Sequence, residues 1–89
     1  MVLSSRGAAK LGRRGIAPRE VIQLQANGAV TKRNPRPRAP GSRLLIGPTD
    51  GGRLLTVVVE RDQTDEAIWH IRTGWESSRA EQMFYYRRS

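Results

Sequence analysis

The sequence contains no cysteine and a single histidine, His70. Without thiol groups the chain forms neither a disulfide nor a thiolate metal site, and one imidazole is too few for a histidine-based metal site. We therefore expect neither a resident metal ion nor another cofactor.

Long apolar runs are also missing. Residues 1–20 lack an apolar stretch followed by a small-residue cleavage site, and no segment approaches the roughly 20 apolar residues of a membrane-spanning helix. The segment Arg79–Arg88 is too short and too polar to favour binding along a membrane surface. We therefore expect a cytoplasmic protein without a membrane partner.

Acidic residues are scarce in the first half of the chain. Residues 1–43 carry ten Lys or Arg and one acid, Glu20, whereas residues 44–89 carry six cations and seven acids. A GC-rich coding sequence would explain why most cations are Arg, but it does not explain the missing acids. The asymmetry indicates a partner that is acidic or rich in phosphate, with a merely soluble basic surface as the alternative.

Several well-known enzyme and DNA-binding motifs are absent. The turn GPTDGGR lacks the spacing and the lysine of a phosphate-binding loop, and no G-x-S-x-G element occurs. Without cysteine there is no zinc finger, and no segment carries the signature of a DNA-reading helix. The chemistry of this chain must therefore be sought in dispersed side chains.

The pattern predicts two helices in the first third of the chain. Ser4 or Ser5 can cap a helix that ends near Arg14, with Gly15 as a left-handed stop. Pro18 suits the first turn of a second helix, which ends at Asn27-Gly28.

Apolar runs separated by turn residues predict three strands and a short edge strand before them. The near-continuous apolar run of Arg53–Glu60 indicates burial on both faces of a sheet. The short connections between the segments indicate an antiparallel meander. The predicted strands are Ala29–Arg33, Arg43–Gly47, Arg53–Glu60 and Ala67–Thr73.

A third helix is predicted at the end of the chain, because Ser78-x-x-Glu81 has the spacing of a capping box. One side of this helix is expected to pack on the sheet, and helical spacing assigns to it Ala80, Met83, Phe84 and Arg87. Glu81 and Tyr85 lie on a neighbouring side.

Together these elements predict a single α+β domain over residues 1–89. It would hold a small antiparallel sheet of three to four strands, with two amino-terminal helices and one carboxy-terminal helix. The sequence leaves open whether residues 1–9 are ordered. Residues 34–42 form a basic, proline-rich loop that is either a solvated linker or an arm for nucleic acid.

Strand alternation places candidate functional groups together near the end of the predicted sheet. Ile68, His70 and Arg72 would share one face of the last strand, and Trp69, Ile71 and Thr73 the other, with Trp69 and Ile71 in the core. Glu60 ends the adjacent strand. A carboxylate, an imidazole and a guanidinium group are therefore expected to converge.

Such a set suits metal-independent cleavage of RNA. Glu60 or His70 would transfer protons, Arg72 would bind the phosphate, and Tyr85 would donate a hydrogen bond or stack on a base. The alternative is ordinary ion pairing of exposed strand residues. The candidate catalytic residues are thus Glu60, Arg72 and Tyr85, with His70 a weaker candidate, and the candidate phosphate-binding residues are Arg13, Arg14, Lys32, Arg33, Arg36 and Arg38.

The order of the segments RRGIAPREVIQL, RLLIGPTDGGRLLTVVVE and HIRTGWESSRAEQMFYYRR resembles the BrnT family of type II toxins. Thr73, Ser78, Glu81 and Tyr85 fall at the spacing of that family's closing helix motif, and Gly52–Leu55 matches its hairpin. The resemblance covers roughly residues 10–88. The family's usual F-x-W-D opening is absent, Arg13-Arg14-Gly15 stands where many members have Lys-His-Gly, and His70 is outside the family pattern.

The resemblance implies a RelE-like fold and an endoribonuclease that arrests growth by cleaving RNA. It also implies a cognate antitoxin that covers the basic face, and contact with operator DNA only through the antitoxin complex. Three alternatives remain open from the residues: a non-catalytic nucleic-acid-binding or regulatory module, a degenerate toxin homologue, and a structural protein whose basic face docks an acidic chain.

Overall fold

A computed structural model describes residues 1–37 and 41–88 of the chain. It confirms the α+β class, with three helices and a five-stranded mixed sheet. In chain order the elements are β1 (Val2–Leu3), α1 (Ser5–Arg13), α2 (Pro18–Ala26), β2 (Val30–Arg33), β3 (Arg43–Pro48), β4 (Leu54–Arg61), β5 (Trp69–Glu76) and α3 (Arg79–Arg88).

The sheet has the order β1-β5-β4-β3-β2, and its last four strands in sequence form the expected antiparallel meander. The expectation of three to four antiparallel strands is corrected at one edge, where β1 pairs in parallel with His70 and Ile71 of β5. Two residues are too few to leave an alternating pattern in the sequence. The first residues of the chain are therefore part of the fold.

The predicted ends of the first two helices are confirmed by their caps. The Ser4 hydroxyl accepts a hydrogen bond from the Gly7 N–H at 3.1 Å, and Gly15 has a φ of 72° after the last turn of α1. In α2, Pro18 occupies the first turn, and the Glu20 carboxylate accepts from the Ala17 N–H at 2.9 Å. Such contacts satisfy amide groups that the helix itself leaves without partners.

The sheet separates two apolar clusters. The helix-pair face carries α1 and α2, whose Leu11, Val21 and Leu24 pack on Val57 and Ile71. The opposite surface, the α3 face, holds Leu44, Ile46 and Val58 beneath α3. β4 contributes to both clusters and is buried on both sides over Leu55–Val59, as its continuous apolar run predicted.

A glycine allows α1 to lie directly against the backbone of β5. A Cβ atom on Gly7 would lie 2.5 Å from the Ile71 carbonyl oxygen, which is closer than any side chain tolerates. At Gly74 an added Cβ would lie 2.9 Å from Leu11 Cδ2. Gly74 is therefore an interior residue of β5 that makes room for α1, and the strand continues to Glu76 instead of ending at Thr73.

A β-bulge interrupts the pairing of β4 with β5. Val59 pairs with Ile71 and Val58 pairs with Thr73, so that Arg72 is the extra residue. The bulge reverses the alternation beyond it, and Thr73 lies on the α3 face with His70. The prediction that Thr73 shares a face with Ile71 is wrong, because simple alternation does not anticipate an inserted residue.

The rotation of α3 about its axis also differs from the prediction. Glu81, Phe84 and Tyr85 are turned toward the sheet, whereas Met83 is 47% exposed. The capping box at Ser78 and Glu81 is confirmed, but the Glu81 carboxylate also binds the sheet, at Trp75 and Thr56. Because Glu81 is attached to the sheet, the side of α3 that carries Glu81 and Tyr85 faces the core, and the predicted side with Ala80 and Met83 is exposed.

No helix within the described residues has both the length and the apolar character needed to cross a membrane.

Candidate nucleic-acid interface

An open groove of about 940 Å³ is lined both by residues of the α3 face and by side chains from the end of α1. This volume lies at the upper end of the range for small-molecule sites. Leu44, Val58 and Trp75 form its apolar floor, and Ser78 and Glu81 line it at the start of α3. We call this surface the cationic groove because of the charges described next.

Among residues 1–37 and 41–88, five cationic and two acidic side chains line the cationic groove. The acids are Glu60 and Glu81, and the cations are Lys10, Arg13, Arg14, Arg36 and Arg72. Three of the cations come from the last turn of α1 or just beyond it, at helical spacing. Arg72, which also lines the groove, directly follows the two residues of β5 that pair with β1. A concave surface with this excess of positive charge attracts a polyanion.

Glu60 and Arg72 meet at one end of the cationic groove. Arg72 Nε donates to Glu60 Oε1 at 2.7 Å, with 48% of the Arg72 side chain and 15% of the Glu60 side chain exposed. Arg72 is the bulged residue of β5, and Glu60 directly follows the buried residues Leu55–Val59 of β4. Within residues 1–37 and 41–88 the two Nη groups of Arg72 make no hydrogen bond. They are available to two oxygens of one phosphate.

A second hollow lies on the other side of the Glu60–Arg72 pair. It is lined by these two residues together with Arg61, Asp62, Gln63, Thr64 and His70. His70 pairs across the sheet with Glu60 and approaches Asp62 at 2.7 Å. We call this surface the His70 hollow. The imidazole is therefore next to the Glu60–Arg72 pair but outside the cationic groove.

Glu81 is held at the groove wall by three donors to one oxygen. Its Oε1 accepts from the Ser78 N–H at 2.7 Å, from Trp75 Nε1 at 3.0 Å and from Thr56 Oγ1 at 3.0 Å. Partial burial favours the neutral acid, but these hydrogen bonds outweigh it and lower the pKa of Glu81 below its usual 4.5. A fixed carboxylate thus faces the groove beside the Trp75 indole.

Tyr85 does not line the cationic groove. It packs with Phe84 against the cluster of Leu44, Ile46 and Val58, and its ring lies 5.5 Å from that of Tyr86 in an edge-to-face arrangement. Its observed contacts are therefore those of a packing residue, and the arrangement does not bring it to the Glu60–Arg72 pair.

The predicted phosphate-binding residues are divided by the fold. Arg13, Arg14 and Arg36 line the cationic groove. Lys32 lies over the Phe84 ring at 5.2 Å on the α3 face, whereas strand alternation turns its neighbour Arg33 to the helix-pair side. Arg38 falls outside the described residues.

Sequence reasoning missed Lys10, Asp62, Trp75 and Glu81 as members of the two surfaces. Lys10 was detectable, since it precedes Arg13 and Arg14 by three and four positions and so shares their side of a helix. The turn Asp62-Gln63-Thr64 signals a local hydrogen-bonded turn, but no local pattern shows that its carboxylate meets an imidazole on the next strand.

Among residues 1–37 and 41–88, no three or more His, Asp or Glu side chains are grouped so as to hold a metal ion. Comparison of the chain with protein-family models, curated proteins and solved structures gave no match.

Proposed function

We propose that this protein binds single-stranded RNA in the cationic groove and cleaves it without a metal ion, as the toxin of a toxin–antitoxin pair. The observation that carries the proposal is the Glu60–Arg72 pair at the end of a groove lined by five cations. The BrnT-like order of motifs gives the proposal its biological context.

The shape and chemistry of the groove support an RNA ligand. Its cations neutralise phosphates, and its floor of Leu44, Val58 and Trp75 offers an apolar surface to a base. A duplex presents its bases stacked and paired, so an apolar floor of this kind favours a single strand. Fixed acceptors such as the Glu81 carboxylate distinguish a base from bare phosphate.

Cleavage of RNA without a metal ion needs a general base, a group that stabilises the phosphorane and a general acid. Three adjacent side chains can fill these roles. Glu60 accepts the proton of the ribose 2′-hydroxyl, Arg72 stabilises the negative phosphorane, and His70 returns a proton to the departing 5′-oxygen. Glu60 keeps Arg72 in place through Nε, which leaves the Nη groups for the phosphate. The products would be a 2′,3′-cyclic phosphate and a 5′-hydroxyl.

An acidic antitoxin fits the same surface. The positive charge of residues 1–43 attracts an acidic chain as it attracts RNA. A chain lying in the cationic groove would exclude RNA from the Glu60–Arg72 pair. In this proposal operator DNA is contacted only through the antitoxin complex.

The test combines growth and RNA integrity. Inducible expression of the wild type should arrest growth, and purified protein should cleave single-stranded RNA in the presence of EDTA. Arg72→Ala should relieve the growth arrest and slow the cleavage by about 10²–10³-fold. Arg43→Ala is the matched control, because this exposed arginine pairs with Val59 on the helix-pair side.

A second candidate is a non-catalytic RNA-binding module, and one observation favours it. Glu60 and Arg72 form an ion pair and neutralise each other, so a phosphate must compete with Glu60 for Arg72. RNA binding that weakens with salt, with intact RNA and normal growth, would support this candidate and overturn the toxin proposal.

A further inference from the structure

His70 has a partner that is itself fixed in place. The His70 Nε2 atom lies 2.7 Å from Asp62 Oδ1. The other carboxylate oxygen, Oδ2, accepts from the Thr64 N–H at 3.0 Å, the Thr64 hydroxyl at 2.8 Å and the Asp65 N–H at 3.0 Å. The turn after β4 therefore orients the carboxylate independently of the imidazole.

The contact determines which imidazole nitrogen exchanges a proton. The hydrogen bond from His70, followed by those from Thr64 and Asp65, lowers the pKa of Asp62 well below its usual range. An ionised carboxylate only accepts hydrogen bonds, so Nε2 must carry a hydrogen. The proton is then gained and lost at Nδ1, which makes no hydrogen bond within the described ranges.

The position of the imidazole matches a role next to the Glu60–Arg72 pair. His70 and Glu60 are cross-strand partners, and Arg72 follows His70 by two residues. Glu60 and Arg72 border both the cationic groove and the His70 hollow. An RNA strand that lies in the cationic groove and crosses this pair would enter the His70 hollow. The His70 side chain is 27% exposed there.

We propose that Asp62 is a positioning residue that holds His70 with Nδ1 as the proton-donating atom. In this arrangement bound RNA crosses the Glu60–Arg72 pair with its leaving 5′-oxygen on the side of the His70 hollow. This inference rests on the ribonuclease function proposed above and assigns a role to Asp62, whose contact with His70 no local sequence pattern indicates.

The step balances as follows. The 2′-hydroxyl gives its proton to Glu60, and its oxygen forms a bond to phosphorus while the bond from phosphorus to the 5′-oxygen breaks. The leaving oxygen takes the Nδ1 proton of the His70 imidazolium. One proton is accepted and one is donated, so the chain returns to its starting state after exchange with water.

The test is Asp62→Asn, which preserves size and the turn. The amide oxygen can take over the three donors of Thr64 and Asp65, which turns the NH₂ group toward His70. Nε2 must then accept, and the neutral ring must carry its hydrogen on Nδ1. Two-dimensional ¹⁵N–¹H spectra of the imidazole report this change of tautomer directly, without any need for activity.

Asp65→Asn is the matched control. It is the same substitution in the same turn, and the Asp65 carboxylate caps the Ala67 N–H without touching His70. Asp62→Asn should change the tautomer and slow cleavage of a fluorophore-labelled, random-sequence single-stranded RNA by about 10²–10⁴-fold. Asp65→Asn should change neither.

A third measurement separates positioning from mere stabilisation. If Asp62 acts through His70, the double variant Asp62→Asn/His70→Asn should be no slower than His70→Asn alone. An unchanged tautomer in folded Asp62→Asn, or a changed tautomer with wild-type rate, would overturn the role of Asp62 while leaving the ribonuclease function intact. A wild type that cleaves no RNA would overturn the proposed function and the inference with it, whatever the spectra show.

Discussion

At the scale of single residues, Glu81 links the start of a helix to the sheet. One carboxylate oxygen completes the capping box with Ser78 and also accepts from Trp75 and Thr56. The Thr56 hydroxyl is fully buried and also meets the Ser77 hydroxyl at 2.8 Å. Because buried donors are destabilising when left without partners, the effect of a substitution should depend on whether an acceptor remains.

Glu81→Ala should therefore lower the free energy of unfolding by about 2–4 kcal/mol, since it removes the acceptor of three hydrogen bonds. Glu81→Gln should lower it by about 1 kcal/mol, because the amide oxygen still accepts but without charge. The pKa of Glu81 is lower in the folded chain than its usual 4.5. Its ionised form therefore stabilises the fold above that value, and the contribution is lost as the pH falls toward the folded-state pKa.

Urea denaturation at neutral pH and at about pH 3.5 measures both effects. The difference in stability between the two conditions should be smaller for Glu81→Gln than for the wild type. The Glu81→Gln variant should still lose some stability in acid, because the pKa values of Glu20 and Asp62 are also lowered in the folded chain. An equal loss of stability on acidification in the wild type and in Glu81→Gln would contradict the stabilising role of the Glu81 carboxylate.

At the scale of elements, close backbone approach determines how α1 is attached. The helix contains two glycines that weaken it in isolation, and the structure gives them different roles. Gly7 is buried against the Ile71 carbonyl, whereas an added Cβ on Gly12 would meet no atom within 4 Å. Gly7 thus lowers helix propensity but permits close contact with β5. Gly12 has no packing role among the described residues.

Alanine at these two positions should therefore have opposite effects. Gly7→Ala should destabilise the protein by about 2–3 kcal/mol, because a backbone atom of the sheet must move. Gly12→Ala should stabilise it by about 0.5–1 kcal/mol through helix propensity alone. Thermal and urea denaturation of the two variants measure the difference, and effects of equal sign would show that α1 does not lie as described.

At the scale of the whole molecule, one groove collects cations from separate elements. Cations from α1, from the segment after β2 and from β5 meet at one groove, although they are far apart in the chain. Arg43, in contrast, pairs with Val59 and lies on the helix-pair side. Long-range attraction of a polyanion should therefore depend on where a cation lies and not on net charge alone.

The salt dependence of RNA binding tests this distribution. For a single strand the logarithm of the affinity should fall with the logarithm of salt by about 0.7 for each phosphate neutralised, or about 3–4 in total for five cations. Arg13→Ala should reduce the slope by about 0.7, and Arg43→Ala should leave it unchanged. Equal effects of the two substitutions would indicate diffuse attraction without a defined groove.

The sequence by itself determined the class of fold, the ends of α1 and α2, the buried strand β4 and the capping box, because each of these depends on neighbouring residues. Caps, turns and hydrophobic periodicity are local signals. It also brought Glu60 and Arg72 into one candidate set, since the two strands that carry them are adjacent in the chain. The charge asymmetry that indicates a polyanionic partner is likewise a property of the sequence alone.

Only the tertiary structure decided the bulge at Arg72, the rotation of α3, the added strand β1 and the contact of Asp62 with His70. Each of these depends on which residues meet across the fold. The bulge turns Thr73 to the other face, and the attachment of Glu81 to Trp75 and Thr56 leaves Met83 in solvent. Periodicity fixes which side chains share a side of an element, but packing against the rest of the molecule fixes where that side points.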